Sequence, residues 1–141
     1  MKGFSLLELI IAVSILLIVM GTISPAVVDY YSNYRMVSAQ QDLVSVLRKA
    51  QALAMSNQYE EQYGVYIASS SFVVFRGSSY ASRTSAFDDP VSYSAAITIT
   101  GPTEIIFAQL SGRASATGTL MLSSGAYTRS AALNNEGRVE W

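Results

Sequence analysis

The chain has 141 residues, with nine Lys+Arg against ten Asp+Glu, no His and no Cys. The two absences exclude a Ser-His-Asp triad, a Cys nucleophile, a His- or Cys-based zinc site and any disulfide. A net charge of −1 also argues against sequence-independent nucleic-acid binding, which rests on neutralising phosphates.

The first element is a greasy segment. Within positions 4–28 the only charge is Glu8, and positions 9–28 are twenty uncharged residues rich in Leu, Ile and Val. As a helix, such a run spans roughly 30 Å, the thickness of a bilayer core. It predicts a membrane helix with a short cytoplasmic N-terminus, and Lys2 agrees with the positive-inside rule. A cleaved secretory signal fits less well. Its apolar region is usually about 7–15 residues and ends at small residues before the cut, and no such site precedes Pro25.

Glu8 has two readings. It sits in the first helical turns, where the helix dipole favours an anion, near enough to Lys2 to be partly neutralised at the headgroup level. Alternatively, an ionisable residue inside a membrane segment marks a functional site. Gly21 and Pro25 lie near the outer end of the run. Proline removes a helix hydrogen bond and glycine lowers helix propensity, so the pair predicts a kink or a stretch that unwinds locally.

The opening residues Met1-Lys2-Gly3-Phe4-Ser5-Leu6-Leu7-Glu8-Leu9-Ile10 resemble the N-terminal signature of type IV pilins and type II secretion pseudopilins. The resemblance implies a short basic leader ending in Gly3. It implies cleavage after Gly3 by a prepilin peptidase and N-methylation of the new N-terminal residue, Phe4. Glu8 falls on the family's hallmark acid. Cleavage would leave a positive amine at Phe4, and Glu8 of one subunit could pair with that amine on a neighbour. Such a pair would favour register more than raw stability. Pilins also carry a proline at the place of Pro25.

Beyond the apolar run, Tyr30, Tyr31 and Tyr34 suit a membrane interface or packing between subunits. Leu43, Val46, Leu47, Ala50, Leu53 and Ala54 recur at helical spacing, with Asp42, Arg48, Lys49 and Gln51 mostly on the opposite face. This predicts an amphipathic helix over 42–57 packed on a sheet. From Gln58 the period changes to two. Strands are predicted over 62–67, 72–76, 93–100, 104–109, 119–123, 128–133 and 138–141, separated by Ser-, Gly-, Pro- and Asn-rich turns. The Ser-rich stretch from Gly77 to Pro90 reads as a surface loop of low order.

The order of these parts carries a second resemblance. An Ala-rich helix is followed by two strands, then Ile105-Ile106-Phe107 with Gly112-Arg113, a Gly-rich hairpin and a terminal Asn134-x-x-Gly137-Arg138-Val139. This is similar to the GspH/FimT family of minor pseudopilins and minor pilins, and implies a helix with a β-rich head.

Little in the head recommends chemistry. Glu60-Glu61 and Asp88-Asp89 are adjacent pairs whose members point to opposite faces of a strand, which does not suit acid–base work. Asp88-Asp89-Pro90 reads as a turn before proline ahead of a Ca²⁺ site. Arg76, Arg83, Arg113, Arg129 and Arg138 are the head's candidates for DNA contact, with Arg113, Arg129 and Arg138 foremost. Some FimT-like minor pilins bind DNA through a Gly-Arg-x-Arg motif. Here the sequence is Gly137-Arg138-Val139-Glu140, and Glu136 adds a second acid, so charge repulsion weighs against phosphate contact.

The expectation is thus an α+β, non-enzymatic structural subunit with no metal or cofactor. Positions 1–3 form the leader, 4–28 the membrane and filament-core helix, 29–57 its amphipathic continuation and 58–141 the β-rich head. Its expected partners are other pilin or pseudopilin subunits, the prepilin peptidase, an inner-membrane assembly platform and, before assembly, membrane lipid. The head is expected outside the cytoplasm, on a single-pass inner-membrane anchor and later on a filament. A DNA-binding competence pilin, a major pilin and an anchored protein that never assembles are the alternatives.

Overall fold

The computed structural model describes residue 3 and residues 5–141, with side chains at all of these except 22–29. The architecture is α+β. Helix α1 (Leu6–Met55) is followed by eight strands: β1 (Tyr63–Ile67), β2 (Ser71–Arg76), β3 (Asp89–Ser92), β4 (Thr98–Thr100), β5 (Glu104–Phe107), β6 (Gly118–Ser124), β7 (Tyr127–Leu133) and β8 (Val139–Glu140). They form two antiparallel sheets, ordered β3-β2-β1-β5 and β4-β6-β7-β8. The chain divides into two compact units, Met1–Tyr34 and Arg35–Trp141.

In the second unit, α1 is held by one stripe. Met36, Gln40, Leu43, Leu47, Ala50 and Ala54 are buried, at alternating steps of four and three residues. That spacing keeps one face of a 3.6-residue helix toward the core. Arg48 and Lys49 face solvent. The stripe starts earlier than the expected 42–57 helix face, because Met36 and Ala39 already belong to the core. Gln40, the one polar member, is satisfied there: its Nε2 donates to the Ser130 carbonyl of β7 at 2.8 Å. Lys49 pairs with Asp89 of β3, so α1 is tied to both sheets.

Period-two alternation sets the strand faces. In the first sheet Val65 is opposite both Val74 and Ile105, and Tyr63 is opposite Phe107. These side chains join the core with α1. In the second, Leu120 is opposite Ala131 and Leu133 is opposite Val139, again inward. The outer face of the second sheet is open, with Thr119, Met121, Ala132 and Glu140 exposed. The β6–β7 hairpin turns at Gly125, where an added Cβ would meet nothing within 4 Å.

The outer face of the first sheet is covered, and the cover is the segment expected to have low order. Phe75 is fully buried there, lying so close over Gly64 that a Cβ would come within 2.4 Å of its ring. Tyr80 closes over it, edge-on to Phe75 at 5.6 Å and stacked on Tyr66 at 3.8 Å between ring centroids. The Arg83 guanidinium sits 3.5 Å from the Tyr80 ring centre, and its Nε donates to both Asp88 oxygens, at 3.0 and 2.8 Å. The Tyr80 N–H donates to Glu104 Oε1 at 2.6 Å. The 77–88 segment is therefore a strap, and strand β3 follows it where a loop was expected. The expected 93–100 strand is cut to β4. The Ile97 N–H closes a turn on the Ser94 carbonyl, and the Tyr93 hydroxyl reaches back to the Ala68 carbonyl at 2.6 Å.

At its far end α1 meets two turns. Gln51 Nε2 donates to the carbonyls of Gly112 and Glu136, each at 3.2 Å. Gly137 sits at φ +81°, and a Cβ there would lie 2.5 Å from the Gly112 carbonyl oxygen. Only glycine suits that position.

Candidate functional site

The site that the sequence singles out is the start of α1. Ser5 lies just outside the helix. Its carbonyl accepts from the Leu9 N–H at 3.2 Å, and its Oγ accepts from the Glu8 N–H at 3.3 Å. Glu8 lies in the first turn and is exposed, where the partial positive charge of the helix N-terminus favours a carboxylate. Gly3 is non-helical and exposed. Phe4, expected to be the processed and methylated residue, lies outside the described residues, as does Lys2.

From Leu6 to Met20 every large apolar side chain is at least 48% exposed, with Leu6 at 78% and Ile18 at 67%. The apolar residues occupy all sides of the helix, so no rotation hides them. Among the described residues no helix is long and apolar enough to cross a membrane. Tyr30, Tyr31 and Tyr34 are also exposed.

Helix α1 continues without a break through Gly21 and Pro25. A Cβ on Gly21 would meet nothing within 4 Å, so among the described residues nothing packed against it requires a glycine. The Pro25 side chain lies outside the described residues.

The three leading arginine candidates fall on different elements. Arg113 is in the β5–β6 connection and exposed. Arg129 lies opposite Leu122, on the inward face, and its Nη1 approaches Gln40 Oε1 at 3.5 Å. Arg138 is in the β7–β8 turn, its Nε 3.4 Å from Glu140 Oε1. Of the other two, Arg76 lies against the rings of both Tyr59 and Phe87, at 4.9 and 3.8 Å, with Nε 3.6 Å from Glu61. Arg83 belongs to the strap.

The acidic pairs are split in the same way. Asp88 is engaged by Arg83 and Asp89 by Lys49. Among the described residues no group of three or more His, Cys, Asp or Glu is placed to hold a metal ion. An open groove of about 660 Å³ runs beside Arg48 and Gln51 along residues 136–141, where the Arg48 guanidinium lies 4.5 Å from the Trp141 ring centre. Two tyrosines titrate above their ordinary value of 10.0. Burial raises Tyr63, against a smaller opposing pull from Arg76, and burial raises Tyr93.

The sequence singles out Glu8 but not Ser5. The signal was present as Ser-x-x-Glu, the spacing of a capping box.

Residues 1–24 match the family described as the prokaryotic N-terminal methylation motif. No curated protein and no solved structure matches the chain significantly. The motif supports a type IV pilin-like structural protein, processed by a prepilin peptidase, assembled with other pilin subunits and either membrane-anchored or pilus-associated. The matched segment ends before the second unit begins at Arg35.

Proposed function

We propose that this chain is a minor subunit of a bacterial envelope filament, either a type II secretion pseudopilus or a type IV pilus. The observation that carries the reading is the exposed apolar helix over residues 6–20. A helix that is apolar on all sides needs lipid or other helices around it. Before assembly, positions 4–28 lie in the inner membrane as a single span with the head outside the cytoplasm. Removal of residues 1–3 leaves an N-methylated amine on Phe4. In the filament, Glu8 faces the amine of a neighbouring subunit, while the inner-membrane platform drives insertion. Gly21 and Pro25 give the helix a point at which to bend or unwind as it leaves lipid. The small two-sheet head and its GspH/FimT-like order of elements favour a minor over a major subunit.

Nucleic acid is not proposed as a partner. Arg138 is accompanied by Glu140 and Arg129 is turned toward Gln40, so two of the three leading arginines already have partners other than a phosphate.

The test is to shear fibres from the native cells and weigh this subunit by intact mass, with the remaining membranes as comparison. A minor pilin appears as a trace component beginning at methylated Phe4. A pseudopilin is processed but stays with the membranes. A chain that keeps Met1 in both fractions overturns the reading.

A further inference from the structure

Arg76 ends β2 with its side chain only 13% exposed. The Phe87 and Tyr59 rings lie 3.8 and 4.9 Å from its guanidinium carbon, which offsets part of the cost of desolvating the charge. The rings do not take the place of a hydrogen-bond acceptor. Arg76 Nε is shielded from solvent and, among the described residues, has no hydrogen-bond partner. The nearest Glu61 oxygen stops at 3.6 Å, beyond hydrogen-bonding distance. A buried charged donor in this state is costly, and native structures hold few of them.

Arg76 also lines a cavity of about 410 Å³, within the size range of small-molecule sites. Glu60, Glu61 and Gln62, where the chain enters β1, form one part of its wall, and Ser82 and Thr84 of the strap form another. Among the described residues no apolar side chain lines it, which does not suit an apolar ligand. Two carboxylates stand against one guanidinium, so an incoming anion meets two like charges. A cation would leave the arginine donor as it is. A hydroxyl does what neither ion does: it accepts from a guanidinium N–H and donates to a carboxylate. Neighbouring hydroxyls on one molecule can therefore bridge the gap that Arg76 and Glu61 leave open. The amides and hydroxyls around the pair both donate and accept in the same way.

We propose that this cavity is a binding site for a neutral saccharide, with the Arg76 guanidinium as its central donor and the Glu61 carboxylate as its central acceptor. Nε itself is out of a ligand's reach. A sugar held by the outer guanidinium nitrogens and by Glu61 draws the carboxylate in, and Nε gains its acceptor from within the chain. The inference concerns the head alone and stands whether or not the chain is a filament subunit.

The experiment titrates full-length protein in a detergent whose head group carries no sugar. The probes are maltose, cellobiose and N,N′-diacetylchitobiose as neutral disaccharides, with glucuronate and inorganic phosphate as anions. Magnetic resonance follows the Arg76 Nε–H, which reports closure of the Glu61 contact, and the Gly77, Ser78 and Ser82 amides. At least one disaccharide is expected to shift these signals saturably, with a dissociation constant of about 1–10 mM, and the anions are expected to leave them in place. Glu61→Ala should weaken that binding about tenfold, the loss of one charge-assisted hydrogen bond. Glu140→Ala, the same change of charge on the second sheet, should leave it unaltered. Urea midpoints of both variants show that the head is still folded. Shifts with glucuronate or phosphate but with no disaccharide make this an anion site and overturn the proposal. No shift with any probe overturns it as well. So does a Glu61→Ala chain that binds as tightly as the native one.

Discussion

Residues 6–21 and residues 35–55 belong to the same helix, yet they are stabilised by different things. The first stretch carries one charge, Glu8, and exposes Leu, Ile and Val on every side. The second carries Arg35, Asp42, Arg48 and Lys49 and buries a single stripe from Met36 to Ala54. The later stretch has its partner in its own chain, where two sheets supply the apolar surface. The earlier one has to find its partner elsewhere. Helical form thus says nothing about what an element is for; the distribution of apolar residues around the axis does.

The largest expected effect sharpens this contrast. Leu43 is fully buried, and Leu43→Ala should cost the head about 2–5 kcal/mol through lost burial and the cavity left behind. Ile15→Ala removes atoms from an exposed side chain and should change head stability by less than about 0.5 kcal/mol. Urea unfolding of full-length protein in detergent, read by the near-ultraviolet signal of the head, compares the two. Equal losses would break the division between the two stretches.

A smaller effect concerns how the head stabilises its own surface. Tyr80→Ala removes the stack on Tyr66 and the lid on Phe75, and should cost about 1–3 kcal/mol. The same change should open residues 77–88 to proteolytic nicking, with the helix unaffected. Resistance equal to the native protein would show that the strap is held without Tyr80.

The smallest effect is a pH dependence confined to the head. Burial raises Tyr63 and Tyr93 above 10.0, so an unfolded chain loses these protons first as pH rises. Above about pH 10 the unfolded state binds fewer protons than the folded one, and stability falls. Urea midpoints measured from pH 9 to 11 should decline, and Tyr63→Phe should flatten part of the decline.

Much of the head was legible in the sequence. The strands β1, β2, β5, β6 and β7 lie where the change to period two places them, and the α1 stripe follows its spacing. What escaped depends on side-chain contacts that no periodicity encodes. Tyr80 is ordered by Tyr66 and Phe75, and Asp88 by Arg83. No local pattern in a Ser-rich segment reports such contacts. Strand β3 was hidden by Asp88-Asp89-Pro90, which reads as a turn. Pro90 is tolerated because β3 is an edge strand, where a missing N–H breaks no ladder on the open side. At the site, the acid of the motif was conspicuous. The hydroxyl three residues before it was not, because its role emerges only once the helix start is located.

The β6–β7 tip also gives the experimenter a handle. A short tag inserted beside Gly125 extends a hairpin into open space and displaces no packed side chain. The same insertion at residues 134–137 would pull apart the two turns seated on Gln51. A fluorophore at the first position marks the head while leaving both its core and the start of α1 untouched, so individual subunits become countable along a fibre.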